Sequence, residues 1–505
     1  MSDRGVVAGG HPATAEAGAW ALRQGGNAVD AAVAAVLMSF AAESSLTGLG
    51  GGGFMLVHDS GGSTLIDFFV EAPGRAGGVR TSELVAAPVE FTDSVSQVFN
   101  IGAASCGVPG TAAGLERALR DFGSMPLAEL AAPAISAARD GVEINAMGGY
   151  LFKILSPILV HEPEGAAIYA PEGKLLGEGD TFRFPELGDA LERLGAEGAE
   201  PFYKGDVARR VSEWVLERGG TLAPDDLAVY KPVVREPVRA RFRDREVVTN
   251  PPPSSGGTLI AFALELLERL GSSNVDELVA VMREAQDARA DDFVRGLSEE
   301  GFASRFLDPE MLAEAARAAS SRLGSTTHIT AVDGDGCCAS VTCSNGTGSG
   351  LVVPDTGVHV NNMLGEEDLN PLGFHRWEPG TRLPSMMSPT IILRDGQLVA
   401  GLGSAGSNRI RSAIVQVIVR LIDGGLGARD AVEAPRVHFE GGVVSAEPGI
   451  DPVALARIEA AGIEVDRWAE PNMFFGGVQA VARDPETGEL AAAGDPRRGG
   501  SVAFA

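Results

Sequence analysis

The segment 324–328, with the sequence G-S-T-T-H, contains residue types that could support self-cleavage followed by nucleophilic catalysis. If the peptide bond before Thr326 breaks, this residue becomes a chain terminus that carries a hydroxyl and an α-amine together. An α-amine has a pKa of roughly 7.7 to 8, so near neutral pH it can take the hydroxyl proton, directly or through a water. Gly324 and Ser325 suit a scissile bond, because glycine permits unusual backbone angles and strain there would help Thr326 attack the Ser325 carbonyl. We therefore predict that Ser325 and Thr326 form an autoprocessing site.

The same residues also have the composition of a β-strand. The run T-T-H-I-T-A-V over 326–332 is rich in β-branched residues, and D-G-D-G over 333–336 predicts a turn before a second strand over 337–343. The two interpretations are compatible, because a terminal nucleophile is well positioned at the end of a strand in a rigid sheet. His328 is interpreted as a packing or hydrogen-bonding residue rather than a general base.

The pattern of the chain changes at the predicted cleavage point. Before it, helices are predicted over 13–24 and 28–42, and 127–319 is mainly helical. After it strands predominate, with one helix near 410–423. Strands are predicted at 54–58, 64–69, 326–332, 337–343, 357–361, 389–394, 398–403, 442–446 and 477–483. Helices outside stacked sheets predict an α+β fold, a four-layer αββα sandwich.

Composition and charge exclude several classes of partner. The 505 residues are 45% hydrophobic and carry a net charge of -27, which speaks against nucleic acid or an anionic membrane as a partner. The longest uncharged apolar stretch, 31–42, is too short to span a membrane and predicts a core helix. The first residues lack the pattern of a secretion signal, so a cytoplasmic location is the expectation.

No cofactor or metal is predicted. The four cysteines fit the cytoplasm, and three of them fall in the hairpin predicted over 326–343. The glycine run 48–53 (G-L-G-G-G-G) matches a dinucleotide-binding pattern, but a strand rather than a helix is predicted after it. Close backbone packing beside the active centre is the better interpretation of this run, with an ordinary tight loop as the alternative.

Segments in both halves resemble the γ-glutamyltranspeptidase family of N-terminal-nucleophile hydrolases. The likeness runs from about Val6 to Arg497. It rests on 25–32, 48–54, 107–111, 202–205 and 251–257 before the cleavage point, and on 326–333, 341–350, 361–362, 388–390 and 403–406 after it. The resemblance implies that a large fragment, 1–325, and a small fragment, 326–505, form one interwoven heterodimer, and it leaves further dimerisation open. It also implies a small-molecule acyl substrate.

The resemblance assigns a role to residues around the nucleophile. Thr326 would attack an amide carbonyl and form an acyl-enzyme, and the backbone amides of Gly406 and Ser407 would form the oxyanion hole. Ser344 would form a hydrogen bond with the nucleophile, at a position where the family usually has a threonine. Asn345 matches the substrate-holding asparagine of the family. Supporting roles are expected for Thr327 and Asn361.

At the positions that bind the glutamyl group in the family, this chain has different residue types. Phe69 stands where the family has an arginine for the α-carboxylate, and Met363 stands where it has a glutamine or glutamate. Met386 replaces one of two adjacent serines and leaves Ser385, while Glu366 could receive an α-amino group. Loss of a bidentate arginine could weaken substrate capture by about a hundredfold. These changes predict a more apolar acyl pocket, although a cation could still come from elsewhere: Arg75, Arg382 or Arg409.

Three functional hypotheses follow. The first is a self-processing amidohydrolase that cleaves a γ-glutamyl or other acyl amide. The second keeps the nucleophile and changes the substrate, as in an acylase or a carbon-carbon bond hydrolase of specialised metabolism. The third is an unprocessed homologue without enzymatic activity.

Overall fold

Two β-sheets lie face to face at the centre of the molecule. The structure is a computed structural model and describes residues 4–77, 81–92, 95–289, 291–307 and 326–505. Ser325 lies outside the described residues. The strands are β1 Gly5–Gly9, β2 Gly52–Asp59, β3 Gly62–Phe68, β4 Val85–Thr92, β5 Val95–Ile101, β6 Val142–Glu143, β7 Thr181–Phe182, β8 Val233–Arg235, β9 Val238–Phe242, β10 Arg245–Thr249, β11 Thr327–Asp333, β12 Cys338–Ser344, β13 Val352–Val353, β14 Val358–His359, β15 Thr390–Arg394, β16 Gln397–Ala405, β17 Val437–Glu440, β18 Val443–Ala446, β19 Glu464–Arg467, β20 Gly477–Arg483, β21 Leu490–Ala493 and β22 Ser501–Phe504.

Helices cover the outer face of each sheet. In the described ranges they are α1 Pro12–Arg23, α2 Ala28–Ala42, α3 Thr111–Phe122, α4 Leu127–Asp140, α5 Ala146–Leu159, α6 Pro163–Tyr169, α7 Pro185–Glu197, α8 Glu200–Tyr203, α9 Asp206–Glu217, α10 Pro224–Val229, α11 Ser255–Leu270, α12 Val275–Asp287, α13 Asp291–Gly296, α14 Phe302–Phe306, α15 Arg409–Ile422, α16 Ala428–Glu433 and α17 Pro452–Ala460. Helices α1 and α2 pack on the first sheet, and α11 and α15 pack on the second. The predicted αββα order is confirmed.

Strands from both sides of residue 326 alternate in the first sheet. Its order is β22-β1-β11-β12-β2-β3-β8, and the second sheet has the order β21-β20-β16-β15-β10-β9. The hairpin β11–β12 is thus inserted between β1 and β2, with antiparallel pairing on both sides. Strand β22 pairs with the free side of β1, and the Arg4 amide donates to the Ala505 carbonyl at 3.3 Å. The polypeptides before and after the predicted cleavage point therefore share each sheet's hydrogen bonds.

Alternate side chains of the first sheet enter two different cores. Met55 and Val57 of β2 pack with the helices on the outer face, whereas Phe54 and Leu56 pack between the two sheets. Helix α2 is buried almost all round, and a capping box between Asn27 and Asp30 fixes its start. Burial on all faces explains why its sequence is apolar without a polar stripe.

The described residues contain neither a membrane-spanning helix nor a metal-binding cluster of side chains. Within the described ranges, every helix is either too short or too polar to cross a lipid bilayer. The same ranges contain no group of three or more His, Cys, Asp or Glu side chains arranged to hold a metal ion.

Candidate active site

A small cavity lies beside the start of β11, next to Thr326, which is the first residue that the structure describes after residue 307. Its volume is about 30 Å³, which is room for one or two waters. It brings together segments that are far apart in sequence. The lining residues are Phe69, Thr326, Ser344, Gly346, Met363, Glu366, Asp368, Leu369, Ser385, Met386, Met387, Ser407 and Ile410.

The Thr326 hydroxyl points towards Ser344 across the β11–β12 hairpin. Thr326 Oγ1 donates to Ser344 Oγ at 3.5 Å, and the Gly346 amide donates to the same Ser344 oxygen at 2.9 Å. The strand register pairs Thr327 with Cys343, so Thr326 and Ser344 fall at the same end of the hairpin. Thr326 remains 6% exposed, on the cavity side.

The glycine run before β2 allows the backbone to approach Ser344. A Cβ on Gly51 would lie 2.3 Å from the Ser344 carbonyl oxygen, closer than any side chain can be accommodated against backbone. Strand β2 follows at once, with Gly52 paired to Ser344. The run therefore packs against the strand that carries Ser344, as the sequence predicted, and no helix follows it.

The Gly406–Ser407 turn connects β16 to α15 on another side of the cavity. Gly406 has φ +122° and Ser407 has φ +52°, both in the region that favours glycine. Ser407 Oγ donates to Asp368 Oδ2 at 2.6 Å. Ser407 lines the cavity, whereas Gly406, the preceding residue, is not part of the lining.

Replacement of Ser407 by glycine and by alanine separates the backbone effect from the hydrogen bond. Both variants lose the contact with Asp368, but only alanine keeps a Cβ in the left-handed region, at a cost of about 1 kcal/mol. We expect Ser407→Gly to be more stable than Ser407→Ala by about that amount. Urea unfolding in a Thr326→Ala background, where the polypeptide should remain one chain, measures the difference; equal stability of the two would contradict a strained Ser407 backbone.

Two acidic side chains, Glu366 and Asp368, reach the cavity from the segment that follows Asn361 and Asn362. Glu366 is buried, and its Oε1 atom has no hydrogen-bond partner. Burial and the neighbouring Asp368 charge raise the pKa of Glu366 to about 8. The unpaired oxygen is therefore available to a donor that enters the cavity.

The remaining wall is apolar. Phe69 is buried and stacks on Phe54 with ring centroids 5.3 Å apart. Met363 and Met386 are also buried, and Ser385 adds a small polar group to the lining. The hydrophobic lining predicted from Phe69, Met363 and Met386 is present in the structure.

The predicted supporting residues make buried hydrogen bonds. Thr327 Oγ1 donates to Glu43 Oε2 at 2.5 Å, and Thr14 donates to the other Glu43 oxygen at 2.7 Å. Asn361 bonds the Gly50 and Gly107 carbonyls at 2.7 and 3.0 Å. These contacts fix the chain on both sides of the cavity.

His328 has the structural role that was predicted. Its ring nitrogens bond Thr342 and Thr330 at 2.8 and 2.9 Å. Burial lowers its pKa to about 3, so the ring is neutral near pH 7.

Asn345 and the three candidate arginines lie away from the lining. The Asn345 side-chain amide donates to the His359 carbonyl at 3.0 Å, and Asn345 is not among the lining residues. Arg382 donates to the Phe69 carbonyl at 2.5 Å, and Arg75 pairs with Glu71 at 3.2 Å. Arg409 stacks on Phe474 and lies 3.7 Å from Glu440. Within the described part of the chain, no arginine lines the cavity.

The chain matches the family model described as Gamma-glutamyltranspeptidase over residues 14–505. The chain belongs to the γ-glutamyltranspeptidase family. It is 32% identical to a glutathione hydrolase proenzyme of Escherichia coli strain K12, covering 98% of this chain and 90% of that protein. It is also 32% identical to the acylase ACY 1 proenzyme of Pseudomonas sp. strain SE83, covering 96% and 90%.

A solved structure supports the same fold. The crystal structure of cephalosporin acylase from Bacillus halodurans superimposes with a TM-score of 0.83 at 25% identity, covering 99% of this chain and 96% of the acylase. The predicted family, the α+β N-terminal-nucleophile hydrolase fold and the assignment as an enzyme are confirmed. Similar γ-glutamyltranspeptidase relatives thus carry both glutathione hydrolase and acylase names.

Several lining residues were not recognised from the sequence. Gly346, Asp368, Leu369, Met387 and Ile410 reach the cavity only because their segments converge in space. The acidic run E-E-D at 366–368 was a usable signal for Asp368, since Glu366 had already been singled out. For the others, the sequence contains no local pattern that distinguishes them from core residues.

Proposed function

We propose that the protein is a self-processing amidohydrolase whose nucleophile is the N-terminal threonine of the small fragment. The observation that carries this proposal is the Thr326 hydroxyl, which faces both Ser344 and a cavity bounded by the Ser407 turn. Two similar relatives have the word proenzyme in their names, which supports processing of this chain as well. Cleavage would then free the Thr326 amine to act as the base.

The reaction follows from these groups. Thr326 Oγ attacks the amide carbonyl, and its proton passes to the α-amine. Backbone amides of Gly406 and Ser407 stabilise the oxyanion, where loss of one donor typically costs about 2.7 to 4 kcal/mol. The proton then goes to the departing amine, which leaves an ester on Thr326. Water hydrolyses this ester and restores the free threonine.

The lining favours an acyl group other than γ-glutamyl. An α-carboxylate would meet Phe69 and two methionines, because Arg382 and Arg75 are engaged with protein groups and lie outside the lining. A buried charge without a partner costs several kcal/mol, so γ-glutamyl amides should be weak substrates. The similarity to proteins named as acylases also supports an acyl group other than γ-glutamyl.

Self-cleavage is the direct test. Purified protein incubated at neutral pH should give fragments of 325 and 180 residues (505 minus 325), and the smaller one should begin T-T-H-I-T. A single full-length band after prolonged incubation would favour the unprocessed, non-enzymatic alternative. The two fragments should remain together in a native separation, because they share both sheets. Further dimerisation and a cytoplasmic location stay predictions of the sequence.

A further inference from the structure

We infer that Glu440 positions the proposed oxyanion hole by binding the two residues that follow the Gly406–Ser407 turn. These two residues are Asn408 and Arg409. Glu440 ends β17 and is not among the described residues that line the cavity, so its effect on the reaction is indirect. The inference rests on the proposed function, in which the backbone amides of this turn stabilise the oxyanion.

The direction of the oxyanion donors depends on the first turn of helix α15. Ser407 has φ +52°, which is unfavourable for a residue with a Cβ, so surrounding contacts must maintain it. The Arg409 amide donates to the Gly406 carbonyl at 3.1 Å, and the Ile410 amide donates to the Ser407 carbonyl at 3.0 Å. Because the Gly406 carbonyl and the Ser407 amide belong to one planar peptide group, a bond to the carbonyl also fixes the direction of the amide.

The side chains of Asn408 and Arg409 reach the same carboxylate. Asn408 Nδ2 donates to Glu440 Oε1 at 2.8 Å, and Arg409 Nη1 lies 3.7 Å from Glu440 Oε2. All three residues are buried. Hydrogen bonds to a charged acceptor are strong where water is excluded. Two consecutive residues after the turn are therefore bound to one point on β17.

Arg289 binds the other end of the Asn408 side chain. Arg289 Nη1 donates to Asn408 Oδ1 at 3.2 Å, and its Nη2 donates to the Asp368 carbonyl at 2.5 Å. The Asn408 amide thus has a donor in front of its oxygen and an acceptor in front of its nitrogen, so reversing it would lose both bonds. Since Asp368 lines the cavity, Asn408 joins the oxyanion turn to another wall of the site.

His438 fixes the carboxylate of Glu440. His438 Nε2 lies 3.0 Å from Glu440 Oε2, and His438 Nδ1 lies 2.7 Å from Ser412 Oγ. Burial lowers the pKa of His438, so the neutral ring carries a single proton. Because a carboxylate only accepts, this proton belongs on Nε2, and Nδ1 accepts from Ser412. Glu440 therefore receives one hydrogen bond on each oxygen.

Ser412, His438 and Glu440 have the order of contacts of a serine-hydrolase triad, but they do not form a second active site. Ser412 and His438 border a separate cavity of about 20 Å³, which is room for about one water. Apolar side chains of α11 and α12 form much of its lining. An amide substrate does not fit in this volume, so the contacts serve to fix Glu440.

Exchange of the two interacting groups tests the bond between Asn408 and Glu440. In Asn408→Asp a second carboxylate faces Glu440, and in Glu440→Gln one acceptor remains for two donors. The double variant has the wild-type charge, and the introduced glutamine can donate to the introduced aspartate while it accepts from His438. Double-variant rescue of this kind identifies a direct contact.

Steady-state hydrolysis of butyryl p-nitroanilide, whose short apolar acyl group suits the lining, gives the readout. Because the oxyanion forms only in the transition state, a displaced turn should lower kcat and leave KM nearly unchanged. We expect kcat to fall about tenfold to a hundredfold in Asn408→Asp, and less in Glu440→Gln. The double variant should be faster than either single variant.

Glu447→Gln is the matched control for a purely structural effect. Glu447 is also a buried glutamate paired with an arginine, at 2.6 Å from Arg497, and it has no recorded bond to residues 406–409. Its replacement should lower the melting temperature, as Asn408→Asp should, but leave kcat within a few-fold of wild type.

Failure of this inference and failure of the proposed function give different results. Wild-type protein that remains one chain refutes the proposed function. In processed protein, three results would overturn the role of Glu440: a double variant no faster than Asn408→Asp, a loss that falls on KM instead of kcat, or an equal loss of kcat in Glu447→Gln.

Discussion

Thr326→Ala should abolish both self-cleavage and amide hydrolysis, because one hydroxyl attacks in each reaction. Removal of a catalytic nucleophile typically lowers kcat by about a millionfold. The expected product is a stable single chain of 505 residues with the wild-type fold. Denaturing gels and N-terminal sequencing follow the cleavage, and release of p-nitroaniline follows the hydrolysis.

Two matched variants make the Thr326→Ala result specific. Thr326→Ser keeps the hydroxyl and should retain both reactions at a reduced rate. Thr327→Ser keeps the hydroxyl that binds Glu43 and should be processed normally. Appearance of the 180-residue fragment from Thr326→Ala would show that another group performs the cut.

Gly51→Ala should disrupt the enzyme, while Gly48→Ala in the same glycine run should be tolerated. The new Cβ at Gly51 would lie 2.3 Å from the Ser344 oxygen and 3.0 Å from its carbonyl carbon, so two paired backbones must separate. Overpacking of this kind costs about 1 to 3 kcal/mol or more. A displacement of Ser344 by about 1 Å would also lower activity by about a hundredfold.

Gly48 provides the control because the position of its Cβ has no neighbour within 4 Å. The melting temperature and the rate of self-cleavage should both be lower for Gly51→Ala than for Gly48→Ala. If Gly48→Ala were as damaging as Gly51→Ala, loss of glycine flexibility rather than close approach would explain the effect.

The local patterns around residue 326 predicted the structure there well. The hairpin expected at 326–332 and 337–343 is observed at Thr327–Asp333 and Cys338–Ser344, and the helix expected at 28–42 is observed at Ala28–Ala42. These elements combine strong intrinsic propensity with a clear boundary signal. Asp333 even accepts from the Ala28 amide, which ties the hairpin turn to the start of the helix.

The sequence analysis missed a pair of strands in which charged and apolar residues alternate. The described part of 127–319 is mainly helical, as predicted, but it also contains the hairpin Val238–Phe242 and Arg245–Thr249. In the first of these strands buried and exposed residues alternate, with arginines on the solvent side. This two-residue period was the available signal, and the helical composition of the flanking sequence concealed it.

The site could be predicted in part only. Eight of the predicted residues line one cavity: Phe69, Thr326, Ser344, Met363, Glu366, Ser385, Met386 and Ser407. Asn345 was adjacent in sequence to Ser344, yet the end of β12 turns its amide towards His359. Side-chain direction at a strand end depends on tertiary contacts, which spacing in the sequence does not specify.

Strand β22 pairs with β1, and the backbone amide of Arg4 donates a hydrogen bond to the carbonyl of Ala505. A circular permutant can therefore join these two ends with a short linker and open the chain before Thr326 instead. After removal of the initiating methionine, such a protein would be synthesised with its reactive amine already exposed. Turnover could then be studied in mutants that no longer mature by themselves.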